Sequence, residues 1–234
     1  MTQANILMIA TSAAQMDNGE ATGVWLEELT TPYYAFIDAG AKVTLASVAG
    51  GAIPVDQRSV AAEGENDASV ERYLKDANLK DLVASTPRFT DIDAGQFDAV
   101  FLPGGHGTMF DYPVDGDLAA LVEAFDRAGK VVAAVCHGPA GLVGAKAADG
   151  SPLVKGRRVA AFTDSEEHAV GLQDAVPFLL ETRLKELGAT HVSAPDFEAF
   201  AVRDGTLVTG QNPASAQKTA DLVLQAVSDI QQAA

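Results

Sequence analysis

Short apolar runs alternate along this chain with longer amphipathic segments, and this alternation is the feature that most limits its possible folds. The clearest runs are residues 6–10, 97–102 and 131–135, and a polar, glycine-containing stretch follows each of them. Strands that alternate with helical segments are typical of βαβ units and a mostly parallel sheet. The length of 234 residues lies within the range of single α/β domains. We therefore predict one doubly wound α/β domain over residues 1–234.

The other predicted elements continue this alternation. A helix over 24–39 carries its large apolar side chains near one face, and Asp204-Gly205 is a strong signal for a two-residue hairpin turn. Asn212 and Pro213 are suited to cap and begin a terminal helix. The full set adds strands at 42–48, 158–162, 191–194, 200–203 and 206–209, and helices at 67–77, 115–127, 139–147, 175–187 and 213–230.

Residues 49–96 do not fit the simple alternation. The segment is polar, contains Gly50, Gly51 and Pro54, and has one predicted helix at 67–77. A crossover between parallel strands needs only about a dozen residues. We therefore interpret 49–96 as an insertion that forms a lid or a wall of a site.

The charge and cysteine content exclude several classes of protein. With 16 Lys and Arg against 32 Asp and Glu, the formal charge is −16, which disfavours nucleic-acid and anionic membrane partners. No basic region precedes the first apolar run, and no stretch approaches the roughly 18 apolar residues of a membrane span. Cys136 is the only cysteine, so no intramolecular disulfide can form. These features favour a soluble protein in the reducing cytoplasm.

Cys136 is the strongest candidate for a reactive residue. It follows the most β-branched predicted strand, with Ala134 two residues before it and Gly138 two residues after it. This pattern is typical of a nucleophile elbow, a sharp turn between strand and helix that exposes the nucleophile. We expect the following helix to lower the pKa of the thiol, and the backbone N–H of His137 to stabilise an oxyanion. The alternative is a buried cysteine that acts only as a small apolar residue.

The glycine-rich stretch 104–107 follows another predicted strand. It lacks the Lys-Ser/Thr of a phosphate-binding loop, so a second oxyanion N–H for the cysteine site is the better interpretation. The alternative is a glycine turn required only by its backbone geometry. His106 lies in this stretch and His137 is adjacent to Cys136, so both are candidates for a base, whereas we expect His168 and His191 at the surface. No metal-binding spacing is present.

Two pairs of acidic residues are placed to assist a nucleophile. Glu166 and Glu167 follow a predicted strand, where one of them could orient a histidine. Glu27 and Glu28 lie beside the apolar face of the first helix, where partial burial would raise the pKa of a carboxyl group and suit it to proton transfer. The pattern alone does not choose between Glu27 and Glu28.

Three segments of the sequence together carry a family resemblance. They are residues 133–139 (Ala-Ala-Val-Cys-His-Gly-Pro), 103–107 (Pro-Gly-Gly-His-Gly) and 162–167 (Phe-Thr-Asp-Ser-Glu-Glu). This set resembles the DJ-1/PfpI superfamily, whose members are flavodoxin-like relatives of class I glutamine amidotransferases. Within it, the sequence is most similar to the glyoxalase III and stress-chaperone branch, which carries an insertion like 49–96 and an ending like 209–215.

The resemblance implies roles for particular residues. Cys136 matches the nucleophile, His137 its neighbouring histidine and Glu167 the acidic third member of the set. Glu28 matches a glutamate that hydrogen-bonds the thiol. Gly105 and His137 match the oxyanion donors, and His106 lies beside Gly105 in the substrate-binding loop. The late His-x-Glu motif of true amidotransferases is replaced by Gln-Asn-Pro at 211–213, so glutamine hydrolysis is not expected.

The activity that the resemblance implies is conversion of methylglyoxal, a small 2-oxoaldehyde, to lactate without glutathione, metal or another cofactor. One alternative is a protein deglycase, an amidase or a peptidase that uses the same site. Another is a stress chaperone or oxidation sensor, in which Cys136 is oxidised rather than catalytic. The resemblance also implies a homodimer.

Overall fold

Six strands form the central sheet of the computed structural model, which describes residues 3–233. The sheet order is β2-β1-β3-β4-β8-β7, and every pair is parallel except the antiparallel hairpin of β7 and β8. Two short strands, β5 and β6, pair separately. The strands are β1 Asn5–Ala10, β2 Lys42–Ser47, β3 Ala99–Leu102, β4 Val131–Val135, β5 Arg158–Val159, β6 Thr190–His191, β7 Ala201–Asp204 and β8 Leu207–Gly210.

Within residues 3–233, eight α-helices surround the sheet, and this confirms the flavodoxin-like α/β prediction. They are α1 Leu26–Asp38, α2 Ala68–Lys75, α3 Ala77–Ala84, α4 Thr108–Asp111, α5 Gly116–Arg127, α6 Asp164–Ala169, α7 Leu180–Glu186 and α8 Ala216–Ala233. Short 3₁₀ turns lie between them at Gln57–Ser59, Phe89–Asp91, Ala94–Gln96, Tyr112–Val114, Gly138–Leu142 and Pro213–Ser215. Within the described residues, no helix is both long and apolar enough to cross a bilayer.

The hydrophobic core lies on both faces of the sheet. Alternate residues of each strand point to opposite faces, so Val100 and Val132 pack on the face that α5 covers, whereas Phe101 packs on the face that α1 and α8 cover. Burial on both faces explains why the strands are continuous apolar runs rather than alternating ones.

Several predicted elements are shorter in the structure. The helix predicted over 139–147 is only the 3₁₀ turn Gly138–Leu142, and the strand predicted over 191–194 is only β6. The strand predicted over 158–162 is only β5, because the N–H of Ala160 donates to the Thr209 hydroxyl and that of Phe162 donates to the Cys136 carbonyl, outside any β-ladder. The helix predicted over 175–187 begins only at Leu180, and Pro177 lies in the part that is not helical.

Part of the segment 49–96 packs against α1. Its helix α2 packs against α1, and α3, which the sequence analysis missed, begins after Asp76, whose carboxylate caps it. The segment also contacts the loop before α1, where Val24 donates its N–H to the Pro54 carbonyl. No residue of 49–96 lines the cavity next to Cys136. A lid function for this segment, and its status as an insertion in one domain, stay predictions.

Candidate active site

Cys136 occupies a strained turn directly after β4. Its backbone has a φ of 59°, which is unfavourable for a residue with a side chain and costs about 1–3 kcal/mol. Its N–H donates to the Gly210 carbonyl and its carbonyl accepts from Phe162, so both flanking loops hold the turn. At Gly138, an added Cβ would lie 2.2 Å from the Leu102 carbonyl oxygen. The backbone therefore has the geometry of a nucleophile elbow.

The expected lowering of the Cys136 pKa is wrong. Only a 3₁₀ turn, Gly138–Leu142, follows the cysteine, so the long aligned helix dipole on which the expectation depended is missing there. Burial raises the pKa of the thiol well above its ordinary value, and the nearby negative charge of Glu28 raises it further. The thiol therefore needs a base to become nucleophilic.

Glu28 approaches Cys136 from α1 and is completely buried. Its Oε2 accepts the Gly104 N–H at 2.9 Å, and the carboxyl lies close enough to the Cys136 thiol for each group to shift the pKa of the other. Burial raises the pKa of Glu28 well above its ordinary value. Burial opposes ionisation of both groups, and a charge on Glu28 opposes the thiolate further, so the pair keeps at least one of its two protons. Glu27, the alternative from the sequence, is partly exposed and lines a different cavity, together with Tyr34 and Arg72.

The carboxylate of Glu167 joins two histidines. Its Oε2 lies 2.7 Å from His137 Nε2, and its Oε1 lies 2.8 Å from His106 Nε2. Burial opposes ionisation of Glu167, but the charges and hydrogen bonds of the histidines outweigh it and hold the pKa of this carboxyl below its usual range. Burial and the neighbouring His137 lower the pKa of His106 to about 4, so His106 is neutral near pH 7.

The ionised state of Glu167 determines the tautomer of His137, and therefore which ring nitrogen can act as a base toward the sulfur. An ionised carboxylate only accepts hydrogen bonds, so Nε2 of His137 carries a hydrogen. In the neutral ring, Nδ1 is then an acceptor, and it lies 3.3 Å from Cys136 Sγ. The arrangement is a thiol, a base and an orienting acid in series.

Backbone N–H groups from two loops are available beside the thiol. Gly105 has a φ of 102°, and a Cβ there would lie 2.4 Å from both the Gly23 carbonyl oxygen and the Trp25 nitrogen. Within residues 3–233, the N–H groups of Gly105 and His137 have no hydrogen-bond acceptor. Their use as oxyanion donors stays a prediction, and these free N–H groups are what such a site requires.

A cavity of about 120 Å³ opens next to Cys136. Sequence reasoning missed its apolar walls, because these side chains come from loops that no spacing pattern joins. The lining consists of Trp25, Gly105, His106, Cys136, His137, Phe162, Val170, Phe197 and Pro213.

The two remaining histidines, His168 and His191, differ in their exposure to solvent. His168 is exposed, as expected. The expectation that His191 lies at the surface is wrong, because its side chain is buried and its Nδ1 lies 3.5 Å from Glu181 Oε1. Sequence spacing also missed that His106, His137 and Glu167 could together ligate a metal ion. The histidine nitrogens that face Glu167 are already engaged in the two short hydrogen bonds.

Comparison with known proteins places these residues in a family. A sequence model of the DJ-1/PfpI family matches residues 21–226. The chain belongs to the DJ-1/PfpI family. This confirms the resemblance noted in the sequence.

The curated relatives of this DJ-1/PfpI protein include fungal glyoxalases. Glyoxalase 3 of Candida albicans is 34% identical over 220 residues, which cover 89% of this chain and 91% of the relative. Glutathione-independent glyoxalase HSP31 of Saccharomyces cerevisiae is 33% identical over 214 residues, which cover 87% and 88%.

Solved structures agree over nearly the whole chain. The crystal structure of glyoxalase III from Candida albicans has a TM-score of 0.85 and 32% identity, and the match covers 95% of this chain and 97% of that one. Rapid Encystment Protein 24 KDa from Francisella tularensis has a TM-score of 0.91 and 36% identity, with 96% and 99% covered.

Proposed function

We propose that this protein is a glutathione-independent glyoxalase that converts methylglyoxal to lactate, with Cys136 as nucleophile. The observation that carries the proposal is the position of the Cys136 sulfur between the buried carboxyl of Glu28 and the His137–Glu167 pair. Relatives at 33–34% identity that bear the name glyoxalase support it.

The cavity suits a small, neutral substrate. Its volume of about 120 Å³ corresponds to roughly four water molecules at about 30 Å³ each, which fits a molecule with about five heavy atoms. The walls include Trp25, Phe162 and Phe197, and none of the lining residues is Lys, Arg, Asp or Glu. A neutral dicarbonyl therefore enters without leaving a buried charge unpaired.

The proposed reaction begins with proton transfer from the Cys136 thiol to His137 Nδ1. Sulfur then adds to the aldehyde carbon, and the N–H groups of Gly105 and His137 hold the resulting oxyanion, which takes a proton to become a hemithioacetal. The protein thiol thus takes the place that a glutathione thiol would occupy.

An enediol then carries the reaction to lactate. The hydrogen on the former aldehyde carbon leaves as a proton and returns to the neighbouring carbon, with Glu28 or His137 as carrier. This converts the hemithioacetal to a lactoyl thioester. Water cleaves the thioester, which gives lactate and restores the thiol, so the net change is addition of one water to methylglyoxal.

The test of this function is lactate production by the wild type and by Cys136→Ser. We expect wild type to produce lactate without added glutathione, and the variant to be slower by at least about a thousandfold. Val114→Ala is a matched control, since Val114 is 81% exposed and does not line the cavity. A wild type that leaves methylglyoxal unchanged, or a Cys136→Ser variant with unchanged rate, would falsify the proposal.

The proposal includes a homodimer in the cytoplasm. The family resemblance supports the dimer, and light scattering coupled to gel filtration would test it. A reducing compartment suits a protein whose single cysteine must stay reduced to act as a nucleophile.

A further inference from the structure

Phe197 stands between the cavity and solvent. Phe197 lines the cavity next to Cys136, yet the residue remains 48% exposed. The ring centroid lies 6.3 Å from that of Phe162, which in turn lies 4.6 Å from the ring of His137. A row of aromatic rings therefore leads from His137 to the solvent-facing opening of the cavity, which we call the mouth. Phe197 is the outermost of these rings.

The backbone of Phe197 must be held in place. Its φ is 62°, a left-handed conformation that an aromatic residue rarely adopts because its Cβ crowds the backbone. Such a conformation persists only where surrounding contacts determine it. The contact here is a hydrogen bond of 2.7 Å from the Phe197 N–H to Oε1 of Glu166.

Glu166 is completely buried. Its carboxylate accepts several hydrogen bonds from residues around the mouth. Besides the Phe197 N–H, its Oε1 accepts from Asn212 Nδ2 at 2.8 Å and from Gln211 Nε2 at 3.1 Å. Its Oε2 accepts the Thr163 N–H at 2.9 Å. Asn212 immediately precedes Pro213, which lines the same cavity. The Glu166 carboxylate thus connects both the Phe197 backbone and the Asn212–Pro213 segment to α6.

Glu167, the next residue on α6, hydrogen-bonds with His106 and His137. Consecutive residues of a helix point about 100° apart, so Glu167 reaches His106 and His137 while Glu166 reaches the mouth. The carboxylates that hold the Phe197 backbone and His137 therefore lie next to each other on one short helix.

We propose that Phe197 is a specificity-determining residue that restricts the site to aldehydes about the size of methylglyoxal, and that Glu166 is the positioning residue that holds it. The substrate part of this inference rests on the proposed function. Removal of the ring opens the cavity to solvent on that side, whereas loss of the Glu166 carboxylate releases the backbone that carries the ring.

The first experiment measures access to Cys136 without any aldehyde. Because Cys136 is the only cysteine, the mass of the intact protein reports its alkylation by a small reagent, iodoacetamide, or a bulky one, N-phenylmaleimide. We expect Phe197→Ala to raise the ratio of the bulky to the small rate roughly tenfold. Val114→Ala serves as the control. An unchanged ratio in Phe197→Ala overturns the proposal.

The second experiment uses substrates of two sizes. We expect Phe197→Ala to raise the ratio of kcat/KM for phenylglyoxal to that for methylglyoxal by roughly tenfold, chiefly through KM. An unchanged ratio counts against the specificity role. If wild type converts neither aldehyde, the proposed function fails, while the alkylation ratio still decides whether Phe197 limits access.

Glu166 is tested through its effect on Phe197. We expect Glu166→Gln to raise the alkylation ratio in the wild-type background and to leave it unchanged in the Phe197→Ala background, because the effect passes through the ring. If Glu166→Gln does not fold, Glu166→Asp, which keeps the charge but shortens the reach, is measured with the same expectation. A variant that slows both reagents equally would show a structural role only and would contradict the positioning role.

Discussion

At the scale of single residues, Glu27 and Glu28 are adjacent on α1 but have different surroundings. Glu28 is buried against the Cys136 thiol, whereas Glu27 is partly exposed. The Glu28 charge is among the causes that raise the pKa of Cys136. Because only the thiolate is alkylated rapidly, the alkylation rate of wild type should rise with pH well into the alkaline range.

We expect Glu28→Gln to move the midpoint of this pH profile to lower pH, because a neutral amide cannot oppose the thiolate as a carboxylate does. The measurement is the iodoacetamide alkylation rate as a function of pH. Glu27→Gln is the matched control and should leave the midpoint within a few tenths of a unit. A midpoint that stays fixed or rises in Glu28→Gln would contradict the described coupling.

Much of the proposed reactive centre could be predicted from the sequence, because its residues directly follow strands or belong to recognisable segments. Cys136, His137 and Gly105 lie in such segments. The mouth could not be predicted in this way. Phe197 lies 61 residues after Cys136 (197 − 136) in an irregular loop, and only its positive φ and the hydrogen bond to Glu166 reveal its position.

At the scale of elements, α6 depends on its N-terminal cap. Thr163 accepts the Glu166 N–H through its hydroxyl, and the Glu166 carboxylate accepts the Thr163 N–H in return. This six-residue helix is too short to be stable alone, so the cap and the tertiary contacts determine where Glu166 and Glu167 lie.

We expect Thr163→Ala to lower the free energy of unfolding by about 1 kcal/mol, because a helix cap is lost. We expect Thr163→Ser, which keeps the hydroxyl, to lower it by less than half as much. Urea unfolding measures both variants. Equal stability of Thr163→Ala and wild type would contradict the cap's contribution.

Elements that are buried on both faces were the most predictable from the sequence. Strands β1, β3 and β4 are nearly continuous apolar runs, and their positions match the prediction to within two residues. The segment around β5 is equally apolar, but its N–H groups donate to a side chain and to the elbow carbonyl instead of to a neighbouring strand. Apolar character predicts burial, and it does not determine which acceptor each N–H group finds.

At the scale of the whole molecule, the formal charge of −16 creates repulsion across the folded surface. Salt screens this repulsion, since the Debye length falls from about 30 Å at 0.01 M to about 8 Å at 0.15 M. We therefore expect Tm to rise by a few degrees when NaCl is increased from about 10 to about 150 mM. KCl should give the same rise if screening is the cause, and a Tm that falls with both salts would contradict this account.

The parallel sheet also places both described ends of the chain on the side away from Cys136. Strand β1 begins at Asn5 on the amino edge, and α8 returns to that edge by Ala233, so that Gln3 and Ala4 line a shared groove with Val227 and Ser228. The reactive sulfur lies at the opposite, carboxyl edge, after β4. A molecule attached to a sensor chip or resin through either end would therefore present its reactive face outward to the surrounding solution.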